Sequence, residues 1–399
     1  MKTKLLLILL AICKMTNAQW TSVNTGLTDL FVKTFAVNNG TIFCGTNDGV
    51  FKSTNDGGQW TQINSGLTYP NIYYLESSGS NLFAGTFGGG LFRSTDNGNT
   101  WGAYNTGLTS NTVTSIAITA TNVFASTFSA GVFRSTNNGS NWSPINTGLT
   151  NLNIRCIAIN GSNIFAGSSG GGIFLSIDNG NTWNAMNTGL TTLNVYAIAF
   201  SGTNIYASTS GGVFYSPNNG SSWTAINTGL TNLDVFALAA NGNNLYAGTT
   251  GGGVFYSSNN GGNWSAINNG LITIYILSLK IKGTAVFLGC TTDGAFIRQL
   301  NDVGLNERKK DNNQITVFPN PFSSTLTFKL NQSNINSLKS NSAEIHLYNI
   351  QGQLISTTIS TIDNASQEIK FDRGSLNKGL YLYKIKLDDK ILTGKIYAE

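Results

Sequence analysis

The chain of 399 residues has a single histidine, His346, and between Gln19 and Leu300 a single glutamate, Glu76. Without imidazole that stretch cannot run a Ser-His-Asp or Cys-His mechanism, and it lacks the usual nitrogen ligand of zinc. Charge is also scarce: charged residues make up 10% of the chain, and Gln19 to Leu300 carries eight Lys/Arg against eight Asp/Glu. The formal net charge of +5 comes from three lysines at the N-terminus and from twelve bases against ten acids after residue 300. With no clustered basic face, a nucleic-acid partner is not expected. Cys13, Cys44, Cys156 and Cys290 show none of the close spacings of metal sites, so neither a metal nor another cofactor is expected. No apolar run approaches the roughly 20 residues of a membrane-spanning helix.

What is present begins with a leader. Lys2 and Lys4, the apolar run Leu5 to Ile12 and the small-residue site Thr16-Asn17-Ala18 have the layout of a signal peptide over residues 1–18. Removing it leaves three cysteines, each at a repeat position that elsewhere holds a small residue, and these read as buried free thiols.

Tryptophans mark a repeat over residues 19–300. Trp20, Trp60, Trp101, Trp142, Trp183, Trp223 and Trp264 are separated by 40, 41, 41, 41, 40 and 41 residues. One period holds four short apolar or alternating runs bounded by Gly, Asn or Ser, strands a to d. Strands a, b and c occur seven times, while the last unit lacks its own strand d. Trp20 to Asn24 has the strand d pattern with no a, b or c before it, so the reading is an all-β, seven-bladed propeller closed by its N-terminal strand.

Between strands c and d, Ser-x-Asp/Asn-x-Gly-x-x-Trp recurs from Ser53, Ser94, Ser135, Ser176, Ser216 and Ser257. It resembles the Asp-box, or BNR, repeat of sialidase-like and sortilin-like propellers. Its Asn55, Asp96, Asn137, Asp178, Asn218 and Asn259 read as turn acceptors, and Trp60, Trp101, Trp142, Trp183, Trp223 and Trp264 as lids on their hairpins. With two carboxylates among the six copies, these turns do not make calcium loops.

Residues 301–313, with Arg308-Lys309-Lys310-Asp311, read as an exposed linker. Residues 314–399 alternate as short strands, including Gln314 to Phe318 and Leu380 to Ile385, and fit a small immunoglobulin-like β-sandwich of about seven strands. In order and spacing these motifs are similar to the C-terminal sorting domain of the type IX secretion system, known from Bacteroidota. The resemblance implies that residues 314–399 engage the secretion machinery and carry the protein across the outer membrane, leaving it released or surface-attached.

The units differ most at the start of strand a. Asn71, Asn153, Asn194, Asp234 and Tyr275 stand at its entry, and Tyr73, Arg155 and Tyr196 two positions later. Amides and aromatics in a ring suit a sugar, so the expected role is a non-enzymatic, monomeric propeller that binds an extracellular glycan, polymer or protein through its loop rim. The alternative is a glycoside hydrolase that pairs Asp48 and Asp293, in the b to c turns of blades made adjacent by ring closure.

Overall fold

The computed structural model describes residues 19–300, 315–330, 341–349, 353–363, 365–388 and 390–399. The expected leader and linker lie outside the described residues. The chain divides into two compact units, residues 1–305 and 306–399.

The first unit is a seven-bladed propeller, each blade an antiparallel sheet of four strands. Blade 5 is typical, with strands Val195–Ser201, Asn204–Thr209, Gly212–Ser216 and Thr224–Ala225. Strand b is packed on both faces, which explains why it reads as a continuous apolar run: Ile205, Tyr206 and Ala207 are fully buried. Strand d, at the outer edge, is two exposed residues long, too short to template pairing with another chain. Blade 7 takes its outer strand from the other end of the propeller. Thr21–Ser22 pairs with Ala295–Gln299, Thr21 opposite Ile297 and Ser22 opposite Phe296.

The turn between strands c and d has one geometry in six blades. In blade 2, Ser94 Oγ donates to Asp96 Oδ1 at 2.7 Å and accepts the N–H of Gly98 at 2.8 Å, while Asp96 Oδ1 accepts the N–H of Thr100 at 2.9 Å. Asn97 at φ 57° and Gly98 at φ 86° complete a left-handed turn, which favours Asn and Gly. The tryptophan does more than cover its own hairpin. Each indole N–H reaches the preceding blade, Trp101 to the carbonyl of Ile63 and Trp183 to that of Ile145, both at 2.7 Å. In the Asn-x-Gly-Leu loops the glycine is required by contact: a Cβ on Gly66, at φ +84°, would lie 2.2 Å from the carbonyl oxygen of Trp101 in the next blade. The thiols of Cys44, Cys156 and Cys290 are free and buried.

The second unit is a small immunoglobulin-like sandwich. Its seven strands run in the order Ile315–Phe318, Thr325–Leu330, Glu368–Asp372, Leu354–Asp363, Ser342–Tyr348, Gly379–Leu387 and Lys390–Ala398. Phe322 donates its N–H to Tyr397 and accepts that of Glu399, both at 2.9 Å, so the two ends of the order nearly meet. Phe322, Phe328, Ile345, Ile369, Phe371, Tyr383 and Ile396 share one buried core. His346 lies on a strand in contact with Glu344 and Thr357.

Candidate functional site

Strand a lines the axis of the propeller, and a β-bulge near its start in blades 2 to 7 decides which side chains face that axis. Ile72 pairs with Thr86 and the next pair is Tyr74 with Gly85, which leaves Tyr73 as the extra residue. The same shift leaves Thr114, Arg155, Tyr196, Phe236 and Leu277 unpaired. A bulge bends the strand and re-aims the extra side chain. In blade 1, Lys33 holds this place just ahead of Thr34–Asn38 and donates its N–H to Gly45. All seven residues line one central cavity of about 870 Å³.

The ring is uneven. The Arg155 guanidinium lies 5.1 Å from the Tyr196 ring centroid, and the Phe236 ring packs 5.3 Å from the same tyrosine. Burial raises the pKa of the Tyr196 phenol, with Asp234 adding to the rise and Arg155 opposing it. On blade 1, Lys33 donates to the amide oxygen of Asn71 and stands 5.4 Å from the ring of Phe31. Burial lowers its pKa, against the pull of Asp29. Three residues further along strand a, Glu76 and Lys280 line the same cavity, at a position that is alanine in the other five blades, Ala36, Ala117, Ala158, Ala199 and Ala239.

Two rings that look alike in sequence separate in the structure. Tyr73, Arg155 and Tyr196 line the cavity, whereas Asn71, Asn153, Asn194, Asp234 and Tyr275 stand outside its lining. The carbonyls of Asn71, Asn153, Asn194 and Asp234 accept N–H bonds from Phe87, Ser169, Ser210 and Thr250 in the b to c turns of their own blades. Asp234 also accepts the Thr250 hydroxyl. Tyr275 is 53% exposed. Asp48 and Asp293 sit in b to c turns, outside the cavity lining. The Asp48 carboxylate accepts Thr28 Oγ1 at 2.6 Å and Gln62 Nε2 at 3.2 Å, and Asp293 accepts Thr292 Oγ1 at 3.2 Å. Among the described residues the two carboxylates share no partner. Arg93 and Arg134 instead bind the c to d turns of following blades, donating to the carbonyls of Asn138 at 3.0 Å and Asn179 at 2.8 Å.

The rim also carries apolar side chains that the ring of amides had overshadowed. Eleven large hydrophobics of the propeller are exposed: Leu30, Tyr69, Phe87, Phe128, Leu152, Leu193, Leu233, Ile272, Ile274 and Tyr275 in the d to a and b to c loops, and Ile177 alone in a c to d turn. Leu30, Leu152, Leu193, Leu233 and Ile274 each precede the first buried Val or Ile of strand a by two residues. That alternation was available in the sequence, but it reads there as one more core position.

Residues 316–399 match the family described as Secretion system C-terminal sorting domain. Residues 194–339 match the family described as DUF6242 beta propeller domain. No curated protein matches the chain. Among solved structures, the extracellular domain of the one component system BT4673 from B. thetaiotaomicron is similar at a TM-score of 0.59 and 16% identity, over 96% of this chain and 59% of that one. PorZ of Porphyromonas gingivalis, a surface component of the type-IX secretion system, gives 0.56 and 16%, over 94% of this chain and 60% of its own. The chain thus spans less than two thirds of the length of either. A GH74 xyloglucanase from Xanthomonas campestris gives 0.59 and 14%, over 94% of this chain and 67% of the enzyme. At these identities the likeness is one of fold, and the fold serves a surface component and a hydrolase alike. The chain is a secreted or cell-surface protein that joins a seven-bladed β-propeller to a secretion-system C-terminal sorting domain.

Proposed function

We propose that the propeller is a non-catalytic, monomeric binding module that holds an extracellular glycan, polymer or protein against its rim and channel mouth. One observation carries this reading: ten of the eleven exposed large hydrophobics of the propeller lie in loops at one end of the blades. Apolar side chains gathered on one face mark a binding surface, whereas scattered ones do not. The bulged ring at the channel mouth adds aromatic faces and cations suited to sugar C–H faces and hydroxyls. The alternative, hydrolysis by Asp48 and Asp293, gains no support from turn carboxylates already bonded to Thr28, Gln62 and Thr292.

The test is to pass residues 19–399 over a panel of immobilised polysaccharides and read retention and released sugar from the same samples. Retention without release is expected, with Tyr196→Ala weakening it at an unchanged melting temperature. Sugar released by the unmodified protein and lost in D48A or D293A would overturn the reading in favour of a hydrolase. Neither retention nor release would leave a protein as the partner.

A further inference from the structure

We infer that the channel mouth selects an acidic sugar, a carboxylate-bearing residue of a polysaccharide chain. This rests on the reading of that mouth as a glycan site. Lys33 belongs to blade 1 and Arg155 to blade 4, and in a ring of seven no two blades are further apart, so the two cations face each other across the axis. Neither stands in an ion pair among the described residues, although Asp29 acts on Lys33 through space. Lys282 pairs with Asp56, and His346 with Glu344. Lys33 is held by the neutral amide of Asn71. The Arg155 guanidinium lies over Tyr196, and its buried Nε has no hydrogen-bond partner among the described residues.

The nearby carboxylates Asp29 and Asp234 lie outside the cavity lining. Asp29 accepts the N–H groups of Phe31 and Asn47, at 2.9 and 2.7 Å, and Asp234 accepts the hydroxyl of Thr250 at one oxygen, while its Oδ1 is buried without a hydrogen-bond partner among the described residues. Deeper in the channel, about 10 Å along strand a at roughly 3.3 Å per residue, Glu76 and Lys280 offset one another. The cavity lining therefore holds Lys33, Arg155 and Lys280 against Glu76, and its excess of cations over carboxylates is at the mouth. Partly desolvated cations outside any ion pair gain from an incoming anion, and a guanidinium fork fits a carboxylate in two parallel bonds. Between the cations run Tyr196 and Phe236 on one side and Tyr73 on the other. A carboxylate attached to a flat ring with an apolar C–H face satisfies both features at once.

The experiment is titration of residues 19–399 with oligosaccharides of polygalacturonate, alginate and hyaluronate, using methyl-esterified oligogalacturonate as the neutral comparison. At least one acidic chain is expected to bind about tenfold or more tighter than the ester, with a preference that shrinks as salt rises. R155Q and K33Q should each remove most of that preference at an unchanged melting temperature. K52Q, an equal loss of charge on strand c of blade 1, should keep it. Equal binding of acid and ester, or a preference untouched in R155Q and K33Q, overturns the inference while leaving the glycan-binding reading intact. Loss of all glycan binding overturns both, and tight binding of poly-glutamate in place of the sugars assigns the site to acidic peptides.

Discussion

The indole N–H of Trp20 donates to the carbonyl of Ile267 at 2.7 Å, joining residues 247 apart in sequence. Every blade repeats this bond to its predecessor, from Trp60 to Val23 through to Trp264 with Ile226. At Trp20 it ties to blade 6 the N-terminal strand, which joins the rest of blade 7 by pairing alone, at the seam of the ring. Asn24 reinforces the seam by accepting the N–H of Ala295 and donating to the carbonyl of Asp293, both at 2.7 Å.

Ring closure should therefore dominate propeller stability. Trp20 is 1% exposed, so Trp20→Ala is expected to cost about 3–5 kcal/mol. Asn24→Ala leaves a backbone N–H and a carbonyl unpaired and should cost about 1–3 kcal/mol. Denaturant unfolding followed by tryptophan fluorescence measures both. A midpoint unchanged in W20A would mean that the seam contributes nothing beyond the other six interfaces.

Acid should loosen the blades through two turns. Hydrogen bonds from Ser94 and Thr100 hold the Asp96 carboxyl at about 2, and bonds from Thr182 and Ser176 do the same for Asp178, against an ordinary value of 3.8. A carboxyl held lower in the folded state than in the unfolded one stabilises fully above pH 4, and that contribution disappears as pH falls from about 4 towards 2. Asn218 shows how an amide serves in the same place, accepting at Oδ1 and donating from Nδ2 to Ser222 at 2.9 Å. The double variant Asp96→Asn and Asp178→Asn should be as stable as the parent at pH 7 and lose less stability between pH 4 and 2. Parallel stability curves for the two proteins across that range would refute the assignment.

How much of this was legible beforehand differs between fold and site. The tryptophan period, the orphan strand at Trp20 and the Ser-x-Asx-x-Gly turn are local signals repeated in register, and repetition averages out the ambiguity of any one copy. The bulge was not legible, because an extra residue in strand a leaves the unit length unchanged and shows only in how it pairs with strand b. For that reason Asn71 and Tyr73 look equivalent in sequence, yet only Tyr73 lines the channel. The reach of Trp101 to Ile63 was hidden for a similar reason: the repeat pattern does not say which neighbour an indole meets.

The thiols should be inert in the folded protein. Burial pushes Cys156 up to about 12 and raises Cys44 and Cys290 as well. The reactive species is the thiolate, so alkylation at pH 8 should leave all three unmodified until denaturant is added. Mass spectrometry after timed exposure to iodoacetamide reads this directly, and rapid labelling of Cys156 in the native protein would contradict its burial in the cluster it shares with Phe165 of blade 4 and Val195 of blade 5.

The sorting unit makes the last prediction. Gly379–Leu387 pairs with Ser342–Tyr348 on one side and with Lys390–Ala398 on the other, and Tyr383, Ile385, Leu392 and Ile396 belong to the buried core. Removing residues 379–399 takes two of seven strands and leaves Ser342–Tyr348 as an open edge, so the sandwich cannot form as a recognisable unit. Export through a C-terminal signal then fails, and the truncated protein should accumulate inside the cell envelope. The propeller, with its seam between Thr21–Ser22 and Ala295–Gln299 intact, should keep its resistance to limited proteolysis there. Fractionation of cells making the full and truncated chains, followed by immunoblotting of envelope, surface and medium, distinguishes the outcomes. Accumulation of a protease-sensitive protein would attribute the block to misfolding of the propeller, whereas equal export of both chains would show that the C-terminal unit is dispensable for leaving the cell.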